Sequence, residues 1–255
     1  MGDLRRRNKN GYSACRRTAL LLLAGAALAM GGAAAVRERE IISAAAPAPV
    51  EAEKLIALTF DDGPSGANTP VLLDGLAERG VHATFFLVGS MVEAQPELAV
   101  RLAREGHQIG IHTYDHDSAS GLRGLSAEQF DAQVGKTRRM LTALTGQTEY
   151  ALRPPYGFVD EGVERGAPGP VILWSVDPED WKYRDAEKVT AHILSNVQDG
   201  DIVLLHDIFS TSVEAALRVV DTLQAQGWRF VTVDELLALR GQEPAPGEIC
   251  HSARP

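Results

Sequence analysis

From Leu55 onward the chain alternates short apolar runs with amphipathic stretches. Short runs rich in β-branched and aromatic residues predict strands, and amphipathic stretches of helical period predict helices. Seven strands are predicted, at residues 55–60, 82–88, 107–112, 149–153, 171–176, 201–206 and 228–233. Regular alternation of strand and helix indicates an α/β fold with a parallel sheet. About seven such units favour a distorted (β/α) barrel formed by a single domain.

Start and stop signals mark four of the helices between the strands. A capping residue or an early proline predicts a helix start, and glycine predicts a helix end. The signals are Thr69-Pro70 with Gly80, Ser126 with Gln129 as a capping box, Asp185 before EKVTAHIL, and Ser212 with Gly227.

The N-terminus has the pattern of an export signal. A basic head is followed by residues 18–36, an apolar stretch without a charge. Its length is sufficient to span a bilayer, so it can be an uncleaved anchor, whereas small residues at 33–35 suit cleavage and secretion. The Arg16-Arg17 pair leaves a twin-arginine signal as an alternative. The protein is therefore expected outside the cytoplasm, with membrane contact only through this segment.

The remaining organisation follows from composition. Residues 37–53 are rich in Ala, Pro and Glu and are interpreted as a linker, residues 54–240 as the folded domain, and residues 241–255 as a tail without a motif. The first 17 residues carry six basic side chains and one acidic one, so the net charge of −9 becomes −14 for the rest of the chain. This acidic body argues against nucleic acid as a partner. Cys15 and Cys250 cannot form a disulfide framework, and oligomeric state has no sequence signal.

Polar residues cluster where the predicted strands end. The carboxyl ends of the strands in a parallel barrel form the face on which active sites are built. The residues are Asp61 and Asp62, His112 and His116, Arg153, Asp177 and Asp180, and His206 and Asp207. An active site at this face is therefore predicted.

Two histidines four residues apart, His112 and His116, can bind one metal ion if the segment turns like a helix. Alone, this spacing also fits a structural or surface pair. A carboxylate from the first strand would complete a site of two histidines and one carboxylate, with open positions for water and substrate. Asp61 or Asp62 can be that ligand, and the other is then placed as a general base. Spacing does not decide between them, and Asp61 could instead cap a helix.

Three further residues suit a role beside such a metal. Arg153 could pair with the base, although an ordinary surface ion pair is the alternative. His206 could act as a general acid, oriented by Asp180 or Asp207, rather than as a packed or capping histidine. Trp181, more often a core residue, could form the wall of a sugar or acyl pocket.

Five ordered segments carry a resemblance to a known family. TFDDGP (59–64), HTYDH (112–116), RPPYG (153–157), DPEDW (177–181) and LLHD (204–207) resemble the motifs of the polysaccharide deacetylases, the NodB-homology carbohydrate esterases of family 4. The resemblance covers residues 54–239. It implies a distorted (β/α) barrel with one divalent metal ion, usually zinc, with cobalt or another divalent ion as the alternative. The family hydrolyses N-acetyl groups of amino sugars.

The resemblance also assigns roles at the metal. Asp62, His112 and His116 resemble the metal ligands, and Asp61 resembles the catalytic base. Arg153 resembles the residue that holds the base in place.

Around the substrate, His206 resembles the catalytic acid and Asp180 its partner. Tyr156 resembles the residue whose backbone N–H helps to hold the oxyanion. Trp181 and Leu204 are similar to the apolar walls around the acetyl methyl group. Residues 158–170 depart from the family pattern, because they are short and rich in Gly and Pro, so the local barrel wall is expected to differ from that of the family.

For an exported enzyme, the expected substrate is cell-wall peptidoglycan, deacetylated at N-acetylglucosamine or N-acetylmuramic acid. Chitin oligomers and acetylated xylan are alternatives with the same chemistry. A carbohydrate-binding pseudoenzyme is an alternative of another class, and a metal-independent amidase acting on cyclic imides is a further one. The presence of every ligand and of the base speaks against both.

Overall fold

The computed structural model describes residues 53–116 and 119–255, and residues 53–255 form one compact unit. The predicted export signal, its cleavage region and all but the end of the predicted linker lie outside the described residues. Among the helices that are described, none combines the length and the apolar character needed to cross a membrane.

The strands pair in parallel, and one central strand pairs with three of the others. Their bounds are β1 Lys54–Asp61, β2 Thr84–Leu87, β3 Gln108–Ile111, β4 Val171–Ile172, β5 Asp201–His206, β6 Trp228–Phe230 and β7 Ile249–Cys250. The main sheet has the order β3-β2-β1-β5, with β6 beside the first half of β1, and β4 pairs with β7. Seven of the eight residues of β1 are buried, as expected for a strand covered on both faces.

Isolated bridges close this sheet into a ring. Leu152 bridges Ile111 on one side and Val171 on the other, and Val176 bridges Val203 of β5. The predicted distorted barrel is confirmed, although the predicted strand at 149–153 contributes only a bridge. Strand β7 was not predicted, because it has two residues and only Cys250 is buried.

Ten α-helices are described. They are α1 Thr69–Glu78, α2 Gly89–Ala94, α3 Pro96–Arg104, α4 Ala127–Phe130, α5 Lys136–Thr145, α6 Glu161–Gly166, α7 Asp180–Tyr183, α8 Ala186–Asn196, α9 Ser210–Ala225 and α10 Val233–Leu239. A π-helical turn spans Asp131–Gly135, and a 3₁₀ turn spans Pro155–Gly157. Helix α6 occupies the Gly- and Pro-rich segment 158–170.

The helix signals are mostly confirmed. Ser126 and Gln129 form the capping box of α4, and the Asp185 carboxylate caps α8. The predicted start of α9 at Ser212 is wrong, since the helix begins at Ser210. The hydroxyl of Ser212 donates to Asp180 instead of capping the helix.

Alternate residues of β1 belong to two different hydrophobic clusters. Ile56, Leu58 and Phe60 pack with residues of the surrounding helices. Leu55 and Ala57 pack with residues of the other strands and of α10. Because side chains alternate along a strand, the second set faces the inside of the ring, and the same side continues toward the site at Thr59 and Asp61.

Candidate active site

The carboxyl ends of the strands surround a cavity of about 390 Å³. Side chains of both charged and aromatic residues line it. They are Asp61, Asp62, His112, His116, Tyr156, Trp174, Asp177, Trp181, Leu204 and His206. Arg153 and Asp180 lie behind this lining and contact two of its members. The structure thus brings the predicted site residues together at one end of the barrel.

Asp61 and Asp62 reach the same cavity because the backbone turns between them. Asp61 is the last residue of β1, and Asp62 has a left-handed backbone with φ of 71°. In a continuous strand, adjacent side chains would point to opposite faces. The His112 Nε2 atom lies 3.4 Å from Asp62 Oδ1 and 3.8 Å from Asp61 Oδ2. A left-handed backbone at a non-glycine residue is uncommon and is concentrated at functional sites.

The two histidines converge from a loop rather than from a helix. Thr113 and His116 both have a left-handed backbone, with φ of 67° and 57°. The His112 Nδ1–H donates to the Arg153 carbonyl oxygen at 2.6 Å. This bond places the proton of the neutral imidazole on Nδ1, so that Nε2 faces the aspartates. The His116 Nε2 atom lies 3.5 Å from Asp62 Oδ1.

The π-helical turn holds the histidine loop in place. The Gln133 Oε1 atom accepts hydrogen bonds from the backbone N–H of Tyr114, at 3.0 Å, and of Asp115, at 3.3 Å. The Thr137 hydroxyl donates to the Thr113 carbonyl at 3.1 Å. The backbone between the two histidines is therefore tied to the start of α5, which limits movement of both imidazoles.

Three side chains fit a divalent cation. Ligand atoms of Asp62, His112 and His116 all lie within 4.8 Å of one another. The Asp62 Oδ1 atom is buried and accepts no hydrogen bond from any described residue. A buried carboxylate oxygen without a donor is costly unless a cation neutralises it. One carboxylate oxygen and two imidazole nitrogens form a set that suits zinc and related ions.

The protonation states of two of the three side chains also favour a cation at this position. Burial, the largest single influence, opposes the ionisation of Asp62, but the polar contact with His112 and the charges of three nearby imidazoles lower the pKa of Asp62 to about 2. Burial and the neighbouring His112 lower the pKa of His116. Asp62 is therefore ionised and His116 is more readily neutral, as metal ligands must be. Burial opposes the charged form of His112, but Asp61 and Asp62 raise its pKa, so this ligand releases a proton when a cation binds.

Arg153 fills the inside of the barrel beneath the site. Its Nη1 atom donates to Asp61 Oδ1 at 2.8 Å and to Thr59 Oγ1 at 2.6 Å, and the guanidinium lies 4.1 Å from the ring centroid of Phe86. Its Nε and Nη2 atoms donate to the carbonyls of residues 172 and 173. The side chain has no exposed surface, so this is not a surface ion pair. Asn68 precedes α1, so Asp61 is not the cap of that helix either.

His206 is bound by Asp180 and not by Asp207. The His206 imidazole donates from Nδ1 to Asp180 Oδ1, and its backbone N–H donates to Asp180 Oδ2, both at 2.8 Å. Burial, the largest single influence, works against the imidazolium, but Asp180 together with Asp61 and Asp62 outweighs it and the pKa of His206 rises to about 9. Asp207 instead accepts from the Thr69 hydroxyl, and burial raises its pKa to about 7.

The cavity walls are partly apolar. Leu204 is buried, whereas Tyr156 and Trp181 are 52% and 50% exposed. Tyr156 has a left-handed backbone with φ of 61°, and its ring packs edge-on against His116 at 5.1 Å. Trp174 also lines the cavity, and sequence reasoning missed it. It lies within the predicted strand 171–176, where an aromatic residue carries no signal beyond burial in the core.

Comparison with known proteins agrees with this geometry. The family model for polysaccharide deacetylases matches residues 49–167. The chain is 37% identical over 193 residues to a peptidoglycan-N-acetylglucosamine deacetylase of Bacillus cereus, a match that covers 72% of this chain and 89% of the relative. This chain belongs to the polysaccharide deacetylase family. The resemblance inferred from the five motifs is thereby confirmed.

Two further relatives define how far the family likeness reaches. The chain is 45% identical over 183 residues to the peptidoglycan-N-acetylglucosamine deacetylase PgdA of Listeria monocytogenes. That match covers 72% of this chain but only 39% of the longer Listeria protein. A solved family structure, described as T48 deacetylase with substrate, shares 39% identity with a TM-score of 0.73, covering 78% of this chain and 96% of that chain. The part shared with these relatives is thus the barrel.

Proposed function

We propose that this chain is a metal-dependent deacetylase that hydrolyses the N-acetyl groups of peptidoglycan N-acetylglucosamine. One observation carries the proposal. The unsatisfied Asp62 Oδ1 atom lies near His112 and His116. Asp61 and His206 face the same cavity. A cation site, a base and an acid around one cavity are the groups that amide hydrolysis requires. We place this activity in residues 54–240, with β7 of the tail completing the barrel wall.

The metal ligands in this proposal are Asp62, His112 and His116, and the ion is zinc, although cobalt or another divalent ion suits the same atoms. When bound, the ion supplies Lewis acidity to the acetyl carbonyl and makes water easier to ionise. The Arg153 carbonyl keeps His112 in the ligating tautomer by accepting from its Nδ1–H.

Asp61 acts as the general base. Its Oδ1 atom is held by Arg153 at 2.8 Å, while Oδ2 is on the side of His112 and the cavity. The free oxygen therefore takes the proton of the attacking water, and Arg153 keeps the carboxylate in position during the transfer. The backbone N–H of Tyr156 helps to hold the oxyanion. The hydrogen bonds within its turn are donated by the N–H groups of the next two residues and do not use the N–H of Tyr156.

His206 acts as the general acid. Because Nδ1 is bound to Asp180, Nε2 is the atom left to donate a proton to the nitrogen of the departing amine. The raised pKa of His206, to about 9, keeps this proton on the imidazole at neutral pH. The amide bond breaks, and acetate and a free amino sugar leave.

The walls and the export signal support a polysaccharide carrying acetamido groups as the partner. Leu204 and Trp181 offer apolar surface to the acetyl methyl group, and Trp174 extends it. The relatives named as peptidoglycan-N-acetylglucosamine deacetylases support the choice of polymer. We propose extracytoplasmic action by a secreted or N-terminally anchored protein, because residues 18–36 have the pattern of a signal or anchor.

The test is acetate release by the zinc-loaded protein from peptidoglycan, chitopentaose and acetylxylan, compared side by side. Peptidoglycan should be the preferred substrate, and Asp61→Asn should reduce release from all three by roughly 10²–10⁴-fold. A preference for chitopentaose or acetylxylan would replace the proposed polymer but keep the chemistry. Zinc binding without acetate release from any of them would instead support the carbohydrate-binding pseudoenzyme.

A further inference from the structure

An arginine lies near Trp181 and His206, two residues that line the cavity. Arg184 follows α7, and its guanidinium stacks on the ring of Phe209, 3.2 Å from the centroid. That ring lies 6.2 Å from the imidazole of His206. The Nε atom of Arg184 donates to the Trp181 carbonyl at 2.6 Å. The same short helix thus holds the partner of the proposed acid, a cavity wall and this arginine in fixed relation.

Two acidic residues near Arg184 in the chain, Glu179 and Asp185, are engaged elsewhere. Glu179 binds Lys182 at 2.9 Å. The Asp185 carboxylate caps α8 and pairs with Lys188 at 3.2 Å. Within residues 53–116 and 119–255, no carboxylate oxygen lies within 4.0 Å of the guanidinium of Arg184. An exposed cation without a counterion is therefore found beside the active site of a chain whose net charge is −9.

The remaining donors of Arg184 suit one kind of ligand. One face of the guanidinium is covered by Phe209 and Nε is used, so its terminal nitrogens are left to donate. Guanidinium edges bind planar carboxylates with two parallel hydrogen bonds. Trp181, half exposed and lining the cavity, offers a surface on which a sugar ring can stack between the cavity and Arg184.

We propose that Arg184 binds a carboxylate carried by the sugar next to the one being deacetylated, and so makes the enzyme prefer acidic glycans over neutral ones. This inference rests on the proposed function, since it names the feature of the polymer that the same site recognises. In peptidoglycan the carboxylate can belong to the lactyl group of a neighbouring muramic acid or to the stem peptide attached to it. Chitin oligomers have neither.

The experiment measures the affinity of three tetrasaccharides for the zinc-loaded protein by calorimetry. They are chitotetraose, an alternating N-acetylglucosamine and N-acetylmuramic acid tetrasaccharide with free lactyl carboxylates, and the same sugar with stem peptides. Asp61→Asn in every sample prevents turnover. We expect one or both acidic tetrasaccharides to bind roughly three- to tenfold more tightly than chitotetraose, because the pair is charge-assisted but partly solvated. The preference should weaken as salt is raised.

Arg184→Gln should remove this preference and leave the affinity for chitotetraose unchanged. The control is Arg218→Gln, which makes the same charge change on α9, where Arg218 is exposed and pairs with Glu214, and it should keep the preference. The acidic sugar that loses affinity identifies the source of the carboxylate. Equal loss on all three sugars, or a preference that survives Arg184→Gln, overturns the proposal.

Acetate release by proteins with Asp61 restored separates this inference from the proposed function. If the enzyme releases no acetate from any sugar while Arg184→Gln still removes the acidic preference in binding, the proposed reaction is wrong and the assignment of Arg184 stands. If acetate is released but the Asp61→Asn protein with Arg184 intact shows no acidic preference in binding, the reaction stands and the assignment of Arg184 is wrong.

Discussion

Arg153 and Asp61 form an ion pair 2.8 Å apart whose side chains are 0% and 4% exposed. The arginine comes from the bridge segment after β3, and the aspartate from the end of β1, 92 residues away in the chain. The guanidinium of Arg153 also donates to Thr59 and to two backbone carbonyls, so each of its nitrogens has a partner. The pair joins the wall of the barrel to the proposed base, and its loss should affect folding as well as catalysis.

Arg153→Met should lower the free energy of unfolding by about 3–5 kcal/mol, because it leaves the Asp61 carboxylate buried without its counterion. Urea denaturation at neutral pH measures the effect. The control is Arg139→Met, which removes an exposed pair with Asp131 and should cost far less. Equal losses in the two variants would show that the buried pair contributes nothing special to stability.

His116→Ala should abolish stoichiometric zinc binding. One of the three proposed ligands is removed, and the two that remain leave the site incomplete. Metal analysis after dialysis should find one zinc ion per wild-type chain and much less in the variant. The matched control, His192→Ala, changes an exposed histidine of α8 and should retain the metal. Full zinc content in His116→Ala would remove His116 from the ligand set.

The two adjacent aspartates should separate in their effects. Asp61→Asn should keep zinc but reduce kcat by roughly 10²–10⁴-fold, as expected when a general base is lost. Asp62→Asn should lose both zinc and activity, because it replaces the carboxylate ligand. Metal content and acetate release are measured on the same samples. Similar zinc content in the two variants would mean that base and ligand have been assigned incorrectly.

Asp207 should make stability depend on pH in a direction opposite to that of most carboxylates. Burial raises its pKa to about 7 in the folded protein, above the ordinary value of 3.8. The folded state therefore binds this proton more tightly, and stability is lost as pH rises from about 4 through 7. The free energy of unfolding of Asp207→Asn, relative to that of the wild type, should therefore be higher at pH 8 than at pH 5.

Urea denaturation at the two pH values tests this expectation. Asp74→Asn is the control, since Asp74 is exposed and pairs with Arg101 at the surface. A difference between variant and wild type that is the same at both pH values would mean that Asp207 keeps an ordinary pKa.

Much of the site could be predicted because a parallel barrel brings the ends of its strands together. Asp61, His112 and His206 each lie at the end of an apolar run, and the structure places all three around one cavity. The barrel itself followed from the alternation of strands and helices. Both inferences depend on local patterns repeated along the chain.

Other features depend on contacts that leave no local pattern. Spacing did not distinguish the proposed ligand from the proposed base, because the left-handed turn that brings Asp62 Oδ1 near both histidines leaves no local pattern. Ser212 has the appearance of a helix cap, but a hydrogen bond to Asp180 of another helix determines its role. Strand β7 forms because it pairs with β4. The position of Arg184 is set by its contact with Phe209, 25 residues further along the chain.

The basic limit of activity should be set by His206 and should move when Asp180 changes. The proposed acid must carry its proton when the amine departs, so kcat/KM should fall as pH rises through the pKa of His206. Asp180 is the strongest of the groups that raise this pKa to about 9.

Asp180→Asn removes a negative charge that stabilises the imidazolium, so the pKa falls and the basic limb should move to lower pH by roughly one to three units. A bound divalent ion repels the imidazolium in the wild type and in the variant, and so lowers the pH of the basic limb in each. The informative quantity is therefore the difference in the pH of this limb between the two proteins. Asp185→Asn is the matched control, because it makes the same charge change at an exposed helix cap and should leave the limb in place. His206→Gln should lose roughly 10²–10⁴-fold in kcat and abolish the limb. If the limb stays at the same pH in Asp180→Asn, another group controls it, and His206 is not the acid.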